Sequence, residues 1–205
     1  MRSPAELSSD VASLSGIDWP TVWRGFGRVP QLALREWCAQ FGWETGPIDR
    51  AMNMTVHLPT GGSFVLYQRR PPSHGLHIDQ LEQVSWREEA NAVEENDSVM
   101  NHAAAVWNDY RHALRDVLGP PSWAGTWESA DFPESARWLP RAERLVERQP
   151  YRLAEWARAA PADPTIHLWV NVAFAQPSLL NPAKASIRLT LYAPENPQSP
   201  GAGMP

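Results

Sequence analysis

Residues 52–68 read MNMTVHLPTGGSFVLYQ, and this stretch decides the fold class. Met52, Met54, Val56 and Leu58 alternate with polar neighbours, Thr60-Gly61-Gly62 supplies turn chemistry, and residues 63–68 form a second apolar run. Side chains of a strand point to opposite faces in turn, and glycine relieves the backbone of a tight connection. The pattern therefore predicts an antiparallel β-hairpin. Neither a following Lys-Ser/Thr nor a helix accompanies Gly61-Gly62, so the pair reads as a hairpin turn and not as a phosphate cradle.

Working outward, Leu76 and Ile78 alternate again, with Val84 and Trp86 continuing that strand or its neighbour. The period then lengthens. Val99, Ala103, Val106, Tyr110, Ala113 and Val117 predict a long helix over 97–118, capped by Asp97 or Ser98 and stopped by Gly119-Pro120-Pro121. Upstream, Leu34, Trp37, Cys38 and Phe41 recur at i, i+3, i+4 and i+7, predicting a helix over 30–41 that ends at Gly42. Cys38 lies on that apolar stripe and reads as a packing residue. Asp18-Trp19-Pro20 opens a shorter helical turn, with proline where its missing N–H costs little.

Residues 119–165 are less regular. Residues 136–139 could form a short edge strand, and 140–149 and 151–159 read as two short helices divided by Pro150. Two late strands follow, on Ile166, Leu168, Val170, Val172 and on Ile187, Leu189, Leu191. The expected architecture is α+β: an antiparallel sheet of about five or six strands, with helices packed mainly on one face of a single-domain sandwich. Residues 18–192 make that domain, with a helical insert near 140–160. Residues 1–17 are expected to be a flexible N-terminal segment and 193–205 a disordered Pro-rich tail.

Composition limits the function classes. The 205 residues are 43% hydrophobic and 20% charged, which suits a globular chain and not a disordered one. A single cysteine excludes an intramolecular disulfide framework and multi-cysteine metal sites. Apolar runs fall far short of the ~20 residues that span a bilayer, so no membrane partner is expected. Residues 1–16 lack a basic start and an apolar core, so a cytoplasmic location is expected.

Charge is uneven. The chain carries a net charge of -5, yet residues 79–97 alone hold seven acids and one base, Arg87. That segment joins the sheet to the long helix, and a single-sign patch favours encounter with an oppositely charged partner. Glu82, Glu88, Glu89, Glu94, Glu95 and Asp97, with Trp123 and Trp127 from the irregular region, are therefore the expected partner-binding residues. Arg137, Arg141, Arg144 and Arg148 would share a face if their segment were one helix. The interspersed Glu143 and Glu147 and the acidic whole chain argue against a nucleic-acid surface.

Catalytic constellations are sparse. His102, Asp109 and His112 fall near one side of the long helix and are the alternative site, for a small metal-dependent enzyme. His57 and His167 lie on predicted strands and should point away from the apolar set. No nucleophile elbow, dinucleotide fingerprint or EF-hand loop occurs, and no cofactor or catalytic residue is expected.

The layout resembles a group of small, uncharacterised actinobacterial α+β proteins. The early helix ending in Phe41-Gly42-Trp43, the strand meander, the long helix ending in Leu118–Pro121, the segment Ala136-Arg137-Trp138-Leu139 and the late paired strands carry the likeness over about residues 30–192. The resemblance implies a secretion-chaperone-like sandwich found at polymorphic toxin loci. The expected function is a non-enzymatic protein-binding module: an immunity protein neutralising a cognate toxin domain or, alternatively, a secretion chaperone or adaptor for an exported partner.

Overall fold

A computed structural model describes residues 1–26, 31–48, 53–69, 77–135, 137–157, 160–173 and 181–194. Five helices appear among them: α1 (Pro4–Ala12), α2 (Trp19–Arg24), α3 (Gln31–Ala39), α4 (Asn96–Leu118) and α5 (Arg141–Glu147). Eight strands join into one antiparallel sheet: β1 (Glu44–Ile48), β2 (Met54–His57), β3 (Ser63–Arg69), β4 (His77–Glu89), β5 (Trp123–Gly125), β6 (Arg152–Trp156), β7 (Thr165–Ala173) and β8 (Lys184–Tyr192). The order β1-β2-β3-β4-β8-β7-β6-β5 sets two four-stranded meanders side by side, joined where β4 pairs with β8. The architecture is α+β and antiparallel, with eight strands where five or six were expected.

The hairpin forms as its sequence dictates. Val56 pairs with Phe64, Leu58 N–H donates to the Gly62 carbonyl, and Gly61 takes φ of 86°. The inward set of each strand makes one apolar face: Val56, Phe64, Leu66, Leu81, Leu168, Val170, Ile187, Leu189 and Leu191 are all buried against the helices. α4 crosses that face, burying Val99, Ala103, Trp107, Tyr110 and Leu114, and the Trp107 indole N–H donates to the Leu168 carbonyl at 3.1 Å. Val117, expected on its buried face, is exposed instead.

Strand β4 runs 13 residues without a break, so much of the acidic segment is strand rather than connecting loop. A bulge between Val84 and Trp86 reverses its parity: Leu81 and Gln83 face the helices before it, and Trp86 and Glu88 after it. The predicted helix over 151–159 is corrected to strand β6 over its described part. Leu, Ala, Glu and Arg favour a helix locally, but β6 completes hydrogen-bond ladders with β5 and β7 and buries Leu153, Ala154 and Trp156. Residues 137–139 form no strand. Residue 136, like the tail beyond residue 194, lies outside the described residues.

The N-terminal segment is also corrected. Ser3 and Glu6 form a capping box at the start of α1, which buries Leu7 and Val11 against α4. Asp10 is fully buried and accepts four hydrogen bonds: two from the Arg2 guanidinium (3.0 and 2.8 Å), one from Thr60 Oγ1 (2.6 Å) and one from Gln83 Nε2 (3.0 Å). Arg2 N–H donates to Ser85 O inside the β4 bulge. Residues 1–12 are thus tied to the sheet by the hydrogen bonds of Asp10 with Thr60 and Gln83 and of Arg2 with Thr60 and Ser85, and to α4 by an apolar stripe. Among the described residues no helix is long and apolar enough to cross a membrane.

Candidate functional site

The second face of the sheet is covered on its β5–β8 side by the segment between β5 and β6. Register places Leu153, Glu155, His167, Trp169, Thr190 and Tyr192 on this face, so His57 and His167 do point away from the apolar set. Phe132 inserts against Trp123 (ring centroids 5.3 Å apart) and Trp138 (6.1 Å), and Trp138 stacks on the His167 imidazole at 5.3 Å. His167 Nε2 lies 2.8 Å from Glu155 Oε2, while its Nδ1 is buried with no partner. Burial pushes the imidazole below its ordinary pKa. The hydrogen bond from His167 holds the Glu155 carboxyl below the usual carboxylate range.

Helix α5 lies over this aromatic cluster with its polarity reversed. Arg144 is 1% exposed; its guanidinium sits 3.8 Å from the Phe132 ring centroid and bonds the Trp127 carbonyl and the Glu134 carboxylate. A guanidinium over a ring face gains cation–π attraction, and its fork reaches two acceptors at once. Because Arg144 takes the inward position, apolar side chains face solvent. Leu145 is 42% and Val146 62% exposed, with Leu139 at 37% just before the helix. Exposed Arg141 and Glu143 rim this patch, and Arg148 closes α5 in the left-handed conformation at φ 54°. The single arginine face considered from spacing does not form. Arg144 is internal, and Arg137 lies outside the helix, over the Tyr192 ring at 4.7 Å and donating to the Ala193 carbonyl.

The expected partner-binding residues fall into separate groups. Glu82 is buried on the second face and paired with Arg188 at 2.8 Å. Glu88 turns to the helix side and meets His102 Nδ1 at 2.6 Å, and Glu89 meets Lys184 at 2.7 Å. Glu95 accepts from the Asn91 backbone and side chain, closing the β4–α4 connection, where Glu94 and Asp97 are exposed. Arg188 and Lys184, both distant in sequence, thus offset two of the acids, while Glu94 and Asp97 stay exposed at the junction. Trp123 and Trp127 lie at the opposite edge of the sheet, with β8, β7 and β6 between β4 and β5. Trp127 stacks on Tyr151 at 4.7 Å. Only these two of the expected residues belong to the α5 cluster.

His102 is held by Glu88 and lies edge-on to Trp86, while Asp109 and His112 are exposed on α4. Among the described residues no group of three or more His, Cys, Asp or Glu side chains converges as a metal site would require. Leu139, Leu145 and Val146 were not singled out from sequence. Their local signal is an adjacent Leu-Val pair in a helix whose other members are charged or alanine. Comparison with protein-family models, with curated proteins and with solved structures returns no match.

Proposed function

We propose that this chain is a non-enzymatic, cytoplasmic protein-binding module that docks a folded partner on the outward face of α5, and that the partner is a toxin domain it neutralises. The observation that carries the docking surface is the reversed helix: an arginine is buried while Leu145 and Val146 stay in water. Burying a fully exposed Leu or Val is worth about 1.5–3 kcal/mol, and covering what remains exposed of Leu145 and Val146 recovers roughly half of that for each, which favours a partner that covers them. The toxin reading rests on the resemblance of residues 30–192 to proteins encoded beside secreted toxins. Trp127, whose carbonyl accepts from Arg144, supports the surface from beneath.

The test is site-specific photocross-linking in the native host, with the cross-linker at Val146, at Glu94 and at the control position Asp109. The captured protein is then expressed alone and together with this chain. Capture at Val146 of a protein whose growth arrest is relieved by the wild-type chain, but not by L145D or V146D, is the expected result. Capture at Glu94 alone moves the site to the acidic junction. A captured chain that binds only when unfolded points to the adaptor role, and relief by both variants removes the surface altogether.

A further inference from the structure

A groove of about 770 Å³ opens at one end of the sheet's helix face, where the α1–α2 turn, the end of α4 and the ends of β6 and β7 meet. It shares no lining residue with α5. Leu14, Ile17, Trp19, Val117, Trp156 and Ile166 supply the apolar part of its walls, and Ser15, Ser122 and Asp163 the polar side chains. Among the described lining residues, Asp163 is the one ionisable side chain.

The groove is built in place. Trp19 stacks on Trp23 with centroids 5.2 Å apart, and the Trp23 indole N–H donates to the Ala162 carbonyl at 3.0 Å. That bond holds the loop carrying Asp163 against α2. Asp163 Oδ2 accepts from the Ala160 N–H at 2.9 Å, fixing the carboxylate in its own turn. On the far wall, the Trp156 indole N–H donates to Gly119 O at 2.9 Å and ties β6 to the end of α4.

Three features of the groove favour a cation, against the N-terminus of α2, which starts at the lining residue Trp19 and is capped by Asp18. Asp163 supplies a negative charge. Both α1 and α4 end at the groove, and helix C-termini carry the negative end of the backbone dipole. No basic side chain occupies the last turn of α1, and the last turn of α4 holds one, the exposed Arg115. Indole rings attract cations through their negative faces. The size falls within the range of small-molecule pockets, in which apolar walls bind the body and a few polar groups orient the head.

We propose that this groove binds a small organic cation: an ammonium group directed at Asp163, carried on an apolar or aromatic body that lies between Trp19 and Trp156.

The test is calorimetric titration of the full chain with three probes of matched body: 4-phenylbutylammonium, 4-phenylbutanol and 5-phenylpentanoate. The ammonium is expected to bind at least about tenfold more tightly than the alcohol, with the carboxylate weakest. D163N keeps the acceptor for the Ala160 N–H and should bring the ammonium to within about threefold of the alcohol. S15W places a bulky ring at an exposed lining position and should abolish binding of both probes. Circular dichroism melts of each variant establish that it remains folded. Equal affinity for the three probes, no ammonium binding up to about 1 mM, or binding that survives S15W in a folded variant overturns the proposal.

Discussion

The guanidinium of Arg144 lies 3.8 Å over the ring of Phe132, the two side chains meeting from segments that neither strand nor long helix connects. Arg144 therefore acts as the central packing residue of the insert. Its stem and planar head fill the space an apolar side chain would otherwise take, and its fork closes the loop through the Trp127 carbonyl and Glu134.

Truncation to alanine removes both the packing and the two hydrogen bonds. R144A is expected to cost about 2–4 kcal/mol in urea denaturation, and R144M, which retains the stem, about 1–2 kcal/mol. Lysine offers neither the planar face nor the fork, so R144K should resemble R144M more than wild type. A loss below about 0.5 kcal/mol for R144A would show that the site tolerates an ordinary surface side chain.

The Asp10 carboxylate gives a second test, far from the insert. A Cβ added at Gly62 would lie 2.3 Å from Asp10 Oδ2, and that oxygen is held by Arg2 and Gln83 and cannot retreat. G62A is expected to cost about 1–3 kcal/mol through overpacking. D10A removes the acceptor of Gln83 and Thr60 and leaves Arg2 only Glu6 and the Thr60 carbonyl, and should cost about 2–4 kcal/mol. In the D10A background the further cost of G62A should shrink, and a double-mutant cycle reads that coupling. Additive losses would place the strain elsewhere.

The His167–Glu155 pair sets a direction for pH dependence. His167 titrates near 6.5 when unfolded and lower when folded, because burial disfavours the imidazolium. The unfolded chain then binds more protons below about pH 6.5, so stability falls on acidification through that value towards the folded pKa. Glu155 has a folded pKa below its unfolded 4.5, and its contribution is lost as pH falls further, through the folded value. Melting temperature should therefore drop steadily below pH 6.5. H167Q should flatten the upper part of that slope and weaken the lower part as well, because the bond from His167 is the main cause that holds Glu155 down. An unchanged profile in H167Q would exclude this histidine as its source.

Cys38 tests the packing of α3. Burial pushes its thiol up to about 12, so almost no thiolate exists at pH 8. A disulfide reagent added to the native protein at that pH should label less than a tenth of the chains in an hour, and in denaturant it should label one thiol per chain. Rapid native labelling would mean that α3 opens readily.

The hairpin of β2 and β3 and helix α4 were legible because the forces that make them are local. Alternation, a Gly-bearing turn and a 3.6-residue stripe all lie within one window of sequence. β6 was not legible, since Arg-Leu-Ala-Glu-Trp is locally helical and becomes a strand only between β5 and β7. The capping box at Ser3 and Glu6 and the spacing of Leu7, Val11 and Leu14 were present to be read. Low overall hydrophobicity masked them, and two of the four bonds that hold Asp10 come from Thr60 and Gln83, more than 45 residues away.

The candidate sites were legible in part. Trp123 and Trp127 were read as partner-binding residues of an irregular segment; Trp123 lies on β5 against Phe132, and Trp127 stacks on Tyr151. The acids were visible as a run, but the partners of Glu82, Glu89 and Glu88, which are Arg188, Lys184 and His102, come from β8 and α4 and lie outside that window of sequence. Which arginine of 141, 144 and 148 turns inward depends on Phe132 and Glu134, which no periodicity within α5 encodes.

Sequence alone determined the antiparallel α+β class, the central hairpin and the long crossing helix, because each follows from side-chain spacing and backbone preference within a few residues. Only the tertiary structure decided the eight-strand sheet, the anchored N-terminus, the buried Arg144 with its outward Leu145 and Val146, and the groove beside Asp163. Strand pairing satisfies backbone groups across long separations, and the cost of burying a charge depends on acceptors and rings supplied by other segments. Those terms exist only once the chain has brought the segments together.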